Sequence, residues 1–193
     1  MALKDHMHVK RQLLFVQGGD KGAHDEWDNT LVENLRQELG QDYEIHYPRM
    51  PDEADPNVRS WKRKISAELS RLRGKVLLVG HSVGGSILLK YLSEEEVKKL
   101  IAGLYLLAVP SWDEDQWNFD DLKLPLNIAD KLAYIPRIFL YHSRDDVEVP
   151  FAHLALHGAR LPQATIRAVD GRGHQFGNDL TDVARDIHST VAA

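Results

Sequence analysis

Gly80-His81-Ser82-Val83-Gly84-Gly85 follows the apolar run Val76-Leu77-Leu78-Val79 and precedes Ser86-Ile87-Leu88-Leu89-Lys90-Tyr91-Leu92. The order predicts a buried strand, a sharp turn with a serine at its apex, and a helix. A turn this tight strains the serine backbone, and glycines two residues to either side leave room where side chains would collide with the neighbouring strand and helix. The hydroxyl is thereby held out at the end of the sheet. The helix that follows aims its unpaired N–H groups and the positive end of its dipole at the same place, so an oxyanion formed there would meet fixed donors. Ser82 is therefore a candidate nucleophile.

The rest of the chain alternates strands with helices. Arg11 to Gln17 predicts a buried strand running into the glycine-rich Gly18-Gly19-Asp20-Lys21-Gly22. Trp27, Leu31, Leu35 and Leu39 recur every four residues, so Asp25 to Leu39 is expected as an amphipathic helix closed by Gly40 as a left-handed cap. Tyr43 to Tyr47 alternates as a strand, and Pro48, Pro51 and Pro56 mark a loop. Trp61, Ile65, Leu69 and Leu72 share one helical face before Gly74. Ser93 with Glu96 reads as a capping box that opens a solvated helix, with Glu94/Lys98 and Glu95/Lys99 one turn apart. Leu100 to Val109, Pro136 to Tyr141 and Ala164 to Val169 are further apolar strands. Helices are expected from Pro150 to Gly158 and along the face of Leu180, Val183, Ile187 and Val191. This alternation marks an α/β fold: a mostly parallel sheet of about six strands with helices on both faces. With neither repeat nor linker, residues 1–193 read as a single domain with flexible residues 1–10.

Length and composition bound the function. A chain of 193 residues can bury roughly 70% of its unfolded surface, so it needs no staple. It has no cysteine, which excludes disulfides, thiolate metal sites and a cysteine nucleophile. A formal net charge of −5 argues against nucleic acid as a partner, since that affinity rests on Lys and Arg neutralising phosphates. The apolar run Leu13-Leu14-Phe15-Val16 is too short for a signal segment or a membrane span. A cytoplasmic protein acting on small molecules, with no membrane partner, is the expectation.

A serine hydroxyl is a poor nucleophile at neutral pH, so Ser82 requires a histidine base and a carboxylate to orient it. In sheets of this kind ligands bind outside the carboxyl ends of the strands. His174 meets that condition in Asp170-Gly171-Arg172-Gly173-His174-Gln175-Phe176-Gly177, directly after a strand, and Asp145 and Asp146 follow the preceding strand. His142 also follows a strand and is an alternative base. His81 adjoins Ser82 and is expected to pack against the sheet or line the pocket. His153 and His157 have zinc-chelating spacing, but a zincin needs glutamate where Leu154 stands, so they read as solvated helix residues and no metal is expected. The Gly80–Gly85 turn lacks the glycine of a dinucleotide fingerprint at Ser82, and no Gly-Lys-Ser/Thr of a P-loop stands at Gly84-Gly85-Ser86. The residues call for no cofactor. Pro110 to Leu126 carries Trp112, Trp117 and Phe119 among acidic residues without a clean period, and is expected as a loop covering the site, with Trp112 and Trp117 as pocket walls.

The order Ser, Asp, His and the phrases Gly-His-Ser-Val-Gly-Gly, Asp-Asp-Val-Glu-Val-Pro and Gly-His-Gln-Phe resemble those of the α/β-hydrolases. Within them they are most similar to the small single-domain serine hydrolases that include the retinoblastoma-binding hydrolase and its bacterial relatives. The resemblance spans essentially the full chain. It implies hydrolysis of small esters, or of amides or thioesters, through an acyl-enzyme, with a minimal cap over the site. It selects Asp146, ahead of Val149-Pro150, as the acid, with Asp145 as the fallback. It also implies an oxyanion hole made by the N–H of Val83 and one from Gln17-Gly18-Gly19, where relatives often have His-Gly. Gly19 is the expected donor, with Asp20 if the register slips by one. The alternative the resemblance carries is a protein-interaction scaffold on a hydrolase fold; no exposed helix or tail in the sequence resembles a peptide-docking module.

Overall fold

The structure, a computed structural model, describes residues 9–112 and 119–191. Its strands are β1 (Arg11–Val16), β2 (Tyr43–His46), β3 (Val76–His81), β4 (Ile101–Leu107), β5 (Ile138–Ser143) and β6 (Thr165–Val169). The helices are α1 (Asp28–Leu39), α2 (Val58–Arg71), α3 (Ser82–Glu94), the short α4 (Ile128–Lys131), α5 (Ala152–Arg160) and α6 (Thr181–Val191).

All six strands pair in parallel in the order β2-β1-β3-β4-β5-β6. Because side chains alternate across a strand, each central strand feeds two cores. Leu14, Val16, Val76, Leu78, Leu104, Leu106, Ile138 and Leu140 meet α2, α3 and α5 through Trp61, Ile65, Ile87, Leu88 and Leu154. Leu13, Phe15, Leu77, Val79, Tyr105, Leu107, Phe139 and Tyr141 meet α1 and α6 through Leu31, Leu35, Val183 and Ile187. Burial on both faces explains why the central strands read as continuous apolar runs. The sheet is therefore the expected α/β arrangement of about six parallel strands covered on both sides.

The topology locates the site. The chain leaves β1 for β2 at one edge and returns past β1 to β3, so β1 and β3 are neighbours whose connections run to opposite faces. A crevice opens at the carboxyl ends of such a pair, where the loop from Gln17 and the turn at Ser82 face each other.

Several local expectations change. The helix expected from Asp25 begins instead with a π-helical turn at Ala23–Trp27, and α1 starts at Asp28. The wider turn rotates Trp27 out of the apolar stripe, leaving it 52% exposed, and Asp28 points inward. Gly40 ends α1 at φ 73°, ψ −164°, a glycine conformation but not the left-handed helical one. The helix expected from Ser93 is absent. Ser93 belongs to the last turn of α3, where its hydroxyl donates to the Lys90 carbonyl at 3.2 Å and cannot cap a new helix. Glu94 pairs instead with Lys90 and Lys62. His153 and His157 are buried rather than solvated. His153 Nδ1 accepts from the Ser111 N–H at 2.9 Å, and His157 Nε2 lies 3.1 Å from the Pro110 carbonyl, so α5 pins the segment after β4.

Candidate active site

The strand-to-helix turn has the strain its sequence implies. Ser82 sits at φ 52°, a region that costs a non-glycine residue on the order of 1 to 3 kcal/mol. A side chain at Gly80 would put its Cβ 2.7 Å from the Gly85 Cα, so the turn closes only around glycine. His81 precedes α3 without capping it through its side chain. The first-turn N–H groups, Val83 among them, are thus left for another acceptor, at the positive end of the helix dipole.

Opposite stands the loop after β1. The Gly18 N–H donates to Asp28 Oδ2 at 2.7 Å and the Asp20 N–H to the Glu53 carbonyl at 2.7 Å. Gly19 lies between them, and among the described residues its N–H has no partner. A Cβ there would meet Val83 Cγ1 at 2.8 Å and Pro56 Cγ at 2.9 Å, so the loop and the start of α3 approach within contact distance. Glu53 braces the loop from the proline-rich segment. One carboxylate oxygen accepts from Gly22 N–H at 3.0 Å, and the other from His24 N–H at 3.0 Å and the Gln17 amide at 2.8 Å.

The loops after β5 and β6 bring a carboxylate and an imidazole together. His174 Nδ1 donates to Asp146 Oδ2 at 2.8 Å, which leaves Nε2 as the free ring nitrogen, 3.7 Å from Glu148 Oε2. Asp146 Oδ1 accepts from the N–H groups of Glu148 and Val149, both at 2.9 Å. His142 approaches from the far side: its Nε2 is 3.1 Å from Asp146 Oδ2 and 3.0 Å from the Val149 carbonyl, and it is buried behind the carboxylate. Burial alone would raise the Asp146 pKa. The bonds from His142, His174 and the Val149 N–H outweigh it and hold the carboxylate ionised, well below the usual range. Asp145 points elsewhere, accepting from the N–H groups of Arg172 and Gly173 at 3.1 Å each and from the Ser143 hydroxyl. It shapes the loop that carries His174.

Ser82 and His174 line one cavity of about 150 Å³, together with Gly18, Gly19, Asp20, Trp27 and Glu148. His81 lines it too, buried beneath the loop, its ring centroid 4.9 Å from that of His174. Trp112 does not. Its indole N–H donates to Ser86 Oγ at 2.8 Å and its ring meets Phe119 edge-on, so it packs against α3 rather than lining the cavity. Trp117 lies outside the described residues. Sequence reasoning missed Asp28, Glu53 and Trp27. Asp28 was hidden by the displaced helix start, and its only signal was a histidine at position 81 with no assigned partner.

Among the described residues, no three His, Cys, Asp or Glu side chains are grouped to hold a metal ion, and no helix is long and apolar enough to cross a membrane.

With this geometry established, likeness to known proteins can be stated. A serine hydrolase family model matches residues 13–178. The structure is similar to the ydeN gene product of B. subtilis, at 19% identity and a TM-score of 0.79, covering 95% of this chain and 100% of that one. It is also similar to Est1E from Butyrivibrio proteoclasticus, at 14% identity and a TM-score of 0.68, over 98% and 92% of the two chains. An esterase from Exiguobacterium antarcticum aligns at 15% identity and a TM-score of 0.69, over 96% and 93%. No curated protein matches in sequence.

Proposed function

The chain belongs to the serine hydrolase family, and from that premise we propose that it cleaves small carboxylic esters through an acyl-enzyme, with Ser82 as nucleophile, His174 as base and Asp146 as the orienting acid. The observation that carries the reading is the 2.8 Å bond from His174 Nδ1 to Asp146. It leaves Nε2 free to take a proton in the cavity that Ser82 also lines. Ser82 Oγ attacks the ester carbonyl as its proton passes to His174 Nε2, and the N–H groups of Val83 and Gly19 receive the oxyanion. The imidazolium then protonates the leaving alkoxide, and water, deprotonated by the same nitrogen, releases the acid.

The cavity bounds the substrate. At about 150 Å³ it suits a short acyl group. Trp27 offers an apolar wall. The ionisable rim consists of Asp20 and Glu148 with no Lys or Arg among the described lining residues, so neutral or cationic esters are favoured over anionic ones. The structural neighbour named as an esterase points to the same substrate class. Fluorophosphonate labelling at neutral pH tests the nucleophile: an adduct that persists in Ser82→Ala moves it elsewhere. A panel of p-nitrophenyl esters tests the substrate, with acetate and butyrate turned over faster than long-chain esters. If neither labelling nor turnover occurs, the interaction-scaffold role gains instead.

A further inference from the structure

A second aspartate–histidine pair lies under the same cavity, and the proposed reaction does not use it. Asp28 and His81 are each 1% exposed. His81 Nδ1 lies 2.9 and 3.0 Å from the two carboxylate oxygens of Asp28, and Nε2 lies 3.1 Å from the backbone carbonyl of His174. The His174 carbonyl can only accept, and so can Asp28 as a carboxylate, the form that, against the cost of burial, its bonds from His81 and the Gly18 N–H favour by lowering its pKa. A neutral imidazole has one N–H and would set a lone pair against the other acceptor, so both nitrogens carry protons and His81 is an imidazolium with Asp28 as its counter-ion. The ionisable groups facing His81 agree. Burial opposes its charge, but Asp28 on α1, the His174 carbonyl and Asp146 on the β5 loop together raise its pKa above the ordinary value. The Asp28 carboxylate also accepts the Gly18 N–H at 2.7 Å.

Stability is a weak reason for such an arrangement, because a buried ion pair is often replaceable by apolar residues without loss. Where its bonds end is more telling. One end holds Gly18, next to the expected donor Gly19, and the other holds the main chain of His174 itself. The ring between them belongs to the residue before Ser82. We propose that Asp28 and His81 form a positioning pair that ties the oxyanion loop to the base-carrying loop across the Ser82 turn, fixing donor, base and nucleophile relative to one another. The inference rests on the triad reading above.

The test compares Asp28→Asn, His81→Gln and the double variant with wild type. Asp28→Asn keeps an acceptor for Gly18 and removes the charge. A slip of about 1 Å in such a site costs on the order of 10²-fold. Each single variant should therefore lose roughly 10- to 100-fold in kcat on p-nitrophenyl acetate and in fluorophosphonate labelling rate, with KM little changed. The double variant should lose no more than the worse single one. Nitrogen-15 spectra of the wild-type imidazoles at neutral pH should show His81 with both ring nitrogens protonated, a readout that does not depend on any variant folding. A neutral His81 ring, a folded Asp28→Asn protein with wild-type kcat, or losses that multiply in the double variant would each overturn the proposal. Failure of wild-type labelling, or labelling that survives Ser82→Ala, reports instead on the triad.

Discussion

Gly84 and Gly85 are adjacent in α3, yet alanine should cost more at the first than at the second. A Cβ on Gly84 would lie 1.9 Å from the Gln17 carbonyl oxygen, 2.8 Å from the Gln17 carbonyl carbon and 2.9 Å from the Val16 carbonyl oxygen. All three atoms are backbone at the end of β1, so no rotamer relieves the overlap. Either α3 or the β1 terminus must move by about 1.5 Å to restore the 3.4 Å of ordinary contact. On a helix alanine is worth up to about 1 kcal/mol over glycine. Overpacking against a rigid partner typically costs about 1 to 3 kcal/mol, occasionally more, and should win. The displaced segment leads straight into Gly19, so the oxyanion donor moves with it, at a cost on the order of 10²-fold in rate. At Gly85 a new Cβ would lie 2.4 Å from Val109 Cγ2, on a buried β-branched side chain that is stiff at χ1, and 3.2 Å from the Gly80 carbonyl oxygen, so the overlap is real but falls mainly on one side chain rather than on backbone. Urea unfolding midpoints and fluorophosphonate labelling rates of the two variants measure this directly. Gly84→Ala should lose both stability and labelling, and Gly85→Ala should lose less of each. A Gly84→Ala protein as stable and reactive as wild type, or a worse Gly85→Ala, would refute the packing argument.

Burial holds His157 neutral, with its pKa lowered to about 4, against roughly 6.5 in an unfolded chain. A depressed value means its contribution is intact above the unfolded pKa. As pH falls from 6.5 towards 4 the unfolded chain takes up a proton that the folded one refuses, costing on the order of 3 kcal/mol. Urea melts between pH 7 and 5 should show this acid limb, and His157→Gln should flatten it. Asp146→Asn should cut ester turnover by on the order of 10⁴-fold, whereas Asp145→Asn, whose amide oxygen can still accept from Arg172, Gly173 and Ser143, should cut it far less; equal losses would reverse the assignment of the acid. With Asp20 and Glu148 at the mouth, esters with an anionic acyl group should have a higher KM than neutral analogues of the same length, and the Asp20→Asn/Glu148→Gln double variant should narrow that gap in a comparison at low ionic strength.

The strands of a parallel sheet and the Ser82 turn were legible because their signals are local. An apolar run buried on both faces, followed within a few residues by a glycine-flanked serine, needs no distant partner to be read, and the same holds for the loops that carry Asp146 and His174. What was not legible shares the opposite property. Trp27 and Asp28 exchanged their expected roles because a π-helical turn shifted the phase by about one residue. A four-residue period cannot detect that shift, since Leu31, Leu35 and Leu39 keep the same stripe either way. His153 and His157 looked solvated because polar rings on a short helix are buried only if acceptors and donors arrive from outside it, here from Pro110 and Ser111.

Asp28 carries that reasoning furthermost. An aspartate beside an apolar stripe reads as surface, since an ionised carboxylate without partners is too costly to bury. Its donors come from Gly18 on the preceding loop and His81 on a different strand, and neither can be assigned to it before β1 and β3 are known to be neighbours. Apolar patterning gives the strands but not their order; the order seen in the structure makes β1 and β3 neighbours, and only that adjacency turns a surface-like aspartate into a buried counter-ion. Buried polar residues at a sheet's switch point are thus legible only after the topology. A histidine immediately before an elbow serine, with no local partner, is a reason to search the helix that follows β1 for a carboxylate.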